Sequence, residues 1–395
     1  HEGYTALMYA TDYAHEMCVQ ALVKATEELE KVEKRCGNTA LHMAARKGNQ
    51  GCLQILLAAQ ANVDYVDWQQ TDPEQHKERI GNNTALNLAA ANGEAACLQM
   101  LIKAQATVNH LNRHGTSALM MAAENAYDEC VQILIQAEAN INHVDKSGSA
   151  TLMFGAHDHK CTSTLLNARA DINCNGSNPL FRACRYENAT SLLLLINANA
   201  DLERILCNGD TALFASAENI CDDCTIRLIE AKANVNHINF DRDSALRVLL
   251  KSPHDANDRL LSVKSLLEAN ANICNSGYTD LMIACTNGAD NYARELINAG
   301  ATINTRTSNG RTSLMISCQF GHVACTRLLL GLGADIESTI HLHAKKDRSF
   351  TALMFAAREG KELCVYELIN AKADANKQCQ LGDTALVSAA RHGHH

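Results

Sequence analysis

Proline is nearly absent, with three residues in 395, which excludes proline-rich linkers and disordered proline-rich tails. Aromatic residues make up only 4% and tryptophan occurs once, although 47% of the chain is hydrophobic. A core with so few rings is built from Ala, Leu and Ile, as in closely approaching helices. No run of about 18 apolar residues occurs, so the sequence predicts no membrane insertion. Positive charge is also short. The formal net charge is -9, which weighs against nucleic acid as a partner. Walker A loops, kinase signatures, nucleophile elbows and H-E-x-x-H are all missing. A protein without intrinsic catalysis is expected.

What the chain does have is a period. An element of Thr/Ser-x-Leu type recurs twelve times, with its leucine at Leu7, Leu41, Leu86, Leu119, Leu152, Leu180, Leu213, Leu246, Leu281, Leu314, Leu353 and Leu386. Most of the spacings are 33 residues. Such a period predicts stacked supersecondary units, each touching its neighbours, rather than an enzyme around one active site.

The stretch 117–149 shows how one unit is built. Thr116 and Ser117 are capping types before the run Ala118 to Ala123, and their oxygens can accept orphan N–H groups at a helix start. A turn at Asn125 to Asp128 leads to a second helix, Glu129 to Ala137. Its Cys130, Val131, Leu134 and Ile135 form one apolar stripe. Ala139-Asn140-Ile141-Asn142 turns the chain out, and the polar stretch His143 to Gly148 leads onward. No unit could bury both helices alone, so stacking must supply the core.

Seventeen cysteines would indicate disulfides in a small secreted protein, but their register gives another reading. Cys18, Cys52, Cys97, Cys130, Cys224, Cys325 and Cys364 lie eleven residues after a repeat leucine, and Cys161 holds the same site after a two-residue deletion. Cys184, Cys285 and Cys318 lie four residues after it. Both sites are small and apolar, and cysteine there serves as a small hydrophobe. Equivalent sites in neighbouring units stand about 10 Å apart, beyond the roughly 7 Å that a disulfide spans. Reduced thiols and a cytoplasmic location, with the nucleus as the alternative, are expected.

These features together resemble the ankyrin repeat. The match rests on the T-x-L-x-x-A-A helix start, the apolar second helix and the A-x-A-[ND]-[IV]-[ND] exit. Thr39 to Ala45 with Gly48, then Leu53, Ile55-Leu56-Leu57 and Ala61-Asn62-Val63-Asp64, is the closest copy. The resemblance covers essentially the whole chain. It implies an all-α ankyrin-repeat solenoid, curved and elongated, of about eleven helix-turn-helix repeats plus a partial twelfth. The units fall near 1–36, 37–81, 82–114, 115–148, 149–175, 176–208, 209–241, 242–276, 277–309, 310–348, 349–381 and 382–395. The family is defined by its scaffold and not by a chemistry.

The chain departs from the family pattern in three places. Proline before the repeat leucine survives only as Pro179. Histidine after it survives only as His42, with Met8, Met120, Met153, Met282, Met315 and Met354 in other copies. Glycine before the A-[ND] pair, at a left-handed helix end, survives only as Gly300 and Gly333. Gln60, Gln105, Glu138, Arg169, Lys232 and Lys372 replace it elsewhere, and Asn199 and Asn270 do so more cheaply. Either these residues go left-handed at about 1–2 kcal/mol each, or the second helices end differently.

Deviations from the period mark insertions. The second unit carries a longer outgoing loop, Asp67 to Pro73, which holds Trp68. The tenth is longer around His341 to Lys346, and the eighth lengthens its inter-helix turn near Ser252-Pro253-His254. Glu27 to Lys34 reads as a charged helical link. The chain starts and stops without polar capping repeats, which leads one to expect a fragment of a longer array or of a multidomain protein.

Cys221-Asp222-Asp223-Cys224 is a lone C-x-x-C, read as structural because Cys224 already has a core role. His157-Asp158-His159-Lys160-Cys161 has metal-ligand types, but no fourth ligand is evident. His341 and His343 read as solvated, and the terminal His392, His394 and His395 could bind metal adventitiously. No metal and no cofactor are expected.

Recognition reads differently. His110, His143 and His237 share one exit-loop place, and they read as structural hydrogen-bonders rather than pH sensors. Near them lie Asn112, Arg113, Asp145, Lys146, Asn239, Asp241 and Arg242. First-helix ends present Arg46, Glu124, His157, Arg185, Glu218, Lys251, Gln319, Arg358 and Arg391. In ankyrin arrays such loops and first helices line a concave partner surface. Variable polar residues on a constant frame suit recognition. The expectation is a monomeric, non-enzymatic scaffold that binds a partner protein. The alternative is a regulatory or targeting arm of a larger kinase or ubiquitin ligase, with its catalytic domain outside this chain.

Overall fold

A computed structural model describes residues 3–26, 29–34, 37–66, 82–174, 176, 178–219, 221–251, 259–340 and 349–394. The expected loops at Asp67 to Pro73, Ser252 to His254 and His341 to Lys346 lie outside these residues. So do Glu27, Glu28 and His395. The regular elements among the described residues are helices, with no strand, and 29–34 of the expected helical link is turn and irregular chain instead. They divide into two compact units, His1–Arg204 and Ile205–His395.

The first unit holds six helix pairs. They are α1 (Ala6–Asp12) with α2 (Glu16–Ala25), α3 (Ala40–Lys47) with α4 (Gln50–Ala58), α5 (Ala85–Asn92) with α6 (Ala95–Lys103), α7 (Ala118–Glu124) with α8 (Asp128–Gln136), α9 (Thr151–Gly155) with α10 (His159–Asn167), and α11 (Pro179–Arg185) with α12 (Ala189–Asn197). The second unit holds α13 (Ala212–Glu218) with α14 (Asp222–Glu230), α15 (Ala245–Lys251) with α16 (Leu260–Glu268), α17 (Asp280–Thr286) with α18 (Asp290–Asn298), α19 (Ser313–Phe320) with α20 (Val323–Gly331), α21 (Ala352–Arg358) with α22 (Glu362–Asn370), and then α23 (Ala385–Arg391). Within each unit odd helices pack on odd and even on even, in two parallel rows.

The repeat leucine explains the first row. Leu41, Leu86, Leu119, Leu213, Leu246, Leu281 and Leu314 are at most 2% exposed. The residue two before the leucine caps the helix, as Thr84, Ser117, Thr279, Thr312 and Thr351 accept from the N–H three residues on. The sequence expectation for the fourth pair holds to within a residue. Of its predicted stripe, Cys130, Val131 and Leu134 are buried and Ile135 is half-buried. The deletion in the fifth repeat shortens α9 to five residues, and Asp158 then caps α10 by accepting from the Cys161 N–H at 2.9 Å.

The second helices do end left-handed. Gln60, Gln105, Glu138, Arg169, Lys232 and Lys372 have φ between 60° and 71°, like Asn199 and Asn270 at 62°. The helix closes on itself there, with the Ala139 N–H donating to the Leu134 carbonyl at 3.0 Å. This settles the sequence-level alternative in favour of strained, family-like helix ends.

The A-[ND]-x-[ND] exit acquires a physical reason. Its second polar side chain accepts from the backbone of the next copy. Asn109 Oδ1 takes the Asn140 N–H at 2.7 Å, Asn142 Oδ1 takes Asp171 at 2.8 Å and Asn173 Oδ1 takes Asp201 at 2.9 Å. In the second unit Asn236 takes Asn272 at 2.6 Å and Asn304 takes Asp335 at 2.9 Å. The motif is a ladder between repeats.

Two cysteine expectations need correction. Cys18 is exposed, because among the described residues no preceding pair covers its helix. Cys221 and Cys224 form a disulfide, with Cα atoms 5.2 Å apart. The distance between neighbouring repeats is irrelevant to a pair inside one repeat, where a C-x-x-C at a helix start brings both cysteines onto the first turn. The other cysteines among the described residues are free, and most are buried.

Candidate functional site

The exit loops share one backbone. In each, the first N–H donates to the carbonyl four residues on, as from Asn112 to Thr116 (3.1 Å), Asp145 to Ser149 (3.0 Å) and Asn239 to Asp243 (3.0 Å). The fourth loop residue is left-handed: Gly115, Gly148 and Gly209 have φ of 77°, 86° and 84°, while Arg242 holds the same place at 64°. A shared frame with different tips is the arrangement expected of a recognition surface.

Many expected site residues are committed to that frame. His110, His143 and His237 each reach one loop back, Nε2 meeting the carbonyls of Asn82 (2.9 Å), Gly115 (2.8 Å) and Gly209 (2.8 Å). Asn112 is buried, and its Oδ1 accepts from the N–H groups of His114 and Thr116, both at 2.9 Å. Asp145 accepts likewise from Ser147 (2.9 Å) and Ser149 (2.8 Å). Asn239 is buried and donates to Asp210 Oδ1 at 2.8 Å. Lys146 bridges two loops, its Nζ donating to the Arg113 carbonyl at 2.9 Å. The side chains of Arg113, Asp241 and Arg242 are exposed at the tips.

The first-helix ends are partly paired with neighbours. Arg46 lies 3.9 Å from Asp12, and Glu124 lies 4.0 Å from Arg182. Gln319 accepts from Arg311 at 2.9 Å. The Arg311 and Arg358 guanidinium carbons stand 5.3 and 5.1 Å from the Phe355 ring centre, so two cations share one ring. Arg185, Glu218, Lys251 and Arg391 are exposed. His157 is half-buried, and its Nδ1 donates to the Phe154 carbonyl at 2.8 Å.

The second unit adds features that the sequence reading passed over. Ile205, Ile238 and Phe240 stand 47%, 52% and 69% exposed on two successive loops. Phe240 lies over Gly209, where a Cβ would come within 2.8 Å of its ring. Beside Ile238 opens a cleft of about 590 Å³, walled by Arg242, Asp243, Arg247, Lys251, Tyr278 and Asp280. Arg247 ties the wall together, bonding Asp280 Oδ1 (2.9 Å), the Tyr278 carbonyl (2.9 Å) and Asp243 (3.2 Å). Burial pushes the Asp280 carboxyl up, while the Cys274 N–H and Arg247 pull it the other way. The signal lies in the register, since Ile205, Ile238 and Leu111 share one loop position. No cluster of three or more His, Cys, Asp or Glu able to hold a metal occurs among the described residues. No described helix is long and apolar enough to cross a membrane.

A family model described as ankyrin repeats (3 copies) matches residues 1–67, 58–145, 150–239, 254–340 and 338–395. Comparison with curated proteins gives no match. Among solved structures, the crystal structure of the human ASB11 ankyrin repeat domain is similar at 23% identity and a TM-score of 0.50, covering 59% of this chain and 98% of that one. At that identity the likeness is one of fold.

Proposed function

The chain belongs to the ankyrin-repeat family, and from that premise we propose that it is a non-enzymatic scaffold that binds a partner protein through its exit loops and first-helix ends. Ankyrin repeats are in general protein–protein interaction modules. The observation that carries the finer reading is the pairing of exposed apolar tips, Ile238 and Phe240, with the charged cleft that Ile238 borders. Exposed apolar groups rimmed by polar ones mark interaction sites, and an aromatic anchor beside a charged rim is the common form of a binding hot spot. In the first unit Arg113 and Lys146 supply a polar counterpart at the same loop positions.

The test is affinity capture with residues 1–395 against two variants, one carrying Ile238→Asp with Phe240→Asp and one carrying Arg113→Glu with Lys146→Glu. Bound proteins lost from either variant, with its helicity unchanged, support the loops as the binding face. Undiminished capture by both would remove them from it.

A further inference from the structure

Four thiols of the second unit lie outside that surface. Cys285 and Cys318 stand four residues after their repeat leucines, on α17 and α19. Cys325 and Cys364 stand eleven after theirs, on α20 and α22. All four are 0% exposed. Equivalent sites of neighbouring repeats are too far apart to pair, but unlike sites meet. The Cys318 and Cys364 thiols converge on one hydroxyl. The Thr326 hydroxyl sits between them, 3.7 Å from Cys318 Sγ and 3.6 Å from Cys364 Sγ. One repeat earlier, the neighbouring Cys325 and burial push the Cys285 thiol up.

We propose that Cys318 and Cys364 are an oxidisable dithiol that links the tenth repeat covalently to the eleventh. Thiols that converge on one hydroxyl need only local adjustment to bond, and each member of the pair is held on a helix. The neighbouring Cys318, aided by Thr326 and Lys361, lowers the Cys364 thiol against the effect of burial. Burial drives Cys318 the other way. Cys364 is therefore the attacking sulfur.

Hydrogen peroxide is the oxidant, small enough to reach a buried pair during local opening. The Cys364 thiolate attacks one peroxide oxygen and the O–O bond breaks. The hydroxide released takes a proton and leaves as water, and Cys364 becomes a sulfenic acid. Cys318 then attacks the Cys364 sulfur and the S–O bond breaks. The hydroxyl leaves with the Cys318 proton as a second water. Two thiols and one peroxide give one disulfide and two waters, with sulfur oxidised and peroxide oxygen reduced. The link closes a loop from residue 318 to 364 and restricts the unfolded chain.

The test treats the folded full chain with hydrogen peroxide, alkylates the remaining thiols in denaturant and maps peptides without reduction. The expected product joins Cys318 to Cys364 with the loss of two hydrogens, and raises the Tm of the chain. Cys318→Ala abolishes both effects. It is a mild change, since Ala45, Ala90 and Ala123 fill the same site in other repeats. Cys364→Ser abolishes both as well, with Ser191 as its precedent, whereas Cys325→Ser leaves the link intact. Recovery of Cys318 and Cys364 as alkylated thiols, at a dose that oxidises the exposed Cys18 and Cys207, overturns the proposal. So does linkage of either one to a different cysteine.

Discussion

His42 is buried with both ring nitrogens engaged. Nδ1 accepts from the Thr39 N–H at 3.2 Å and from its hydroxyl at 2.8 Å, and Nε2 donates to the Asn83 carbonyl at 3.0 Å. A second proton would break the cap, and burial holds the pKa down to about 4 from 6.5. At higher pH the ring is neutral in folded and unfolded chains, and it contributes no pH dependence. As pH falls through the interval from 6.5 to about 4, only the unfolded chain takes up the proton. Stability therefore drops, by about 3 kcal/mol at the acid end. His42→Asn should remove this dependence, because Asn87 already makes the same box with Thr84 at 3.2 and 2.6 Å. Urea denaturation at several pH values checks it, and parallel curves for both proteins would refute the assignment. The strained helix ends give a second expectation. Glu138→Gly should stabilise by about 0.5–1 kcal/mol, the relief of a left-handed side chain less the added freedom of the unfolded chain. Asn199→Gly should change the urea midpoint much less. These strained sites were legible because the register aligned them with Gly300 and Gly333. Ala14, Ala126 and Glu187, also left-handed, align equally well with Gly48, Gly93 and Gly321 and could have been read the same way. The recurring histidines were legible as loop hydrogen-bonders. The burial of Asn112 and Asn239 was not, since one sequence does not say whether an amide faces its own backbone or solvent.

Between elements, repeats are joined by hydrogen bonds as well as by packing. Asn142→Ala removes one rung of the exit ladder and leaves the Asp171 N–H without its acceptor. The expected loss is about 1 kcal/mol, with faster amide exchange at Asp171 and unchanged exchange at Asp201, whose acceptor is Asn173. Arg259 is a more consequential joint. It is 1% exposed and donates to the Ala217 (3.0 Å) and Glu218 (3.2 Å) carbonyls at the end of α13. Elsewhere in the second unit Asn287 and His322 donate from their inter-helix turns to the Leu250 (2.7 Å) and Thr286 (2.8 Å) carbonyls. In the eighth repeat, whose turn is lengthened, an arginine takes that part. Arg259→Ala should destabilise by about 3 kcal/mol, because it strands carbonyls served by a charged donor. Thermal unfolding checks it, and a Tm within a degree or so of wild type would deny Arg259 this role. The lengthened turn was visible in the spacing. The residue that repairs it was not, because arginine in a loop reads as solvated.

At the scale of the molecule, the fold was legible because a repeat states its structure many times, so errors in one copy are corrected by the others. The chain splits into compact units at Arg204 and Ile205, and no change of composition there announces the division. The Cys221–Cys224 disulfide escaped notice for a similar reason, since register across repeats says nothing about pairs within one. The frame of the proposed face was legible as places in the repeat, the exit loops and first-helix ends, and only partly as atoms. The polar residues chosen there are divided between bracing and exposure, while the apolar tips Ile205, Ile238 and Phe240 were missed. The most direct test is amide hydrogen exchange of the chain, alone and bound to a captured partner. Slowed exchange in residues 205–209, 238–243 and 272–280, or in 111–116 and 144–149, with second helices unchanged, is the predicted result. Protection confined to the second helices, with every exit loop exchanging as in the free chain, would contradict the account.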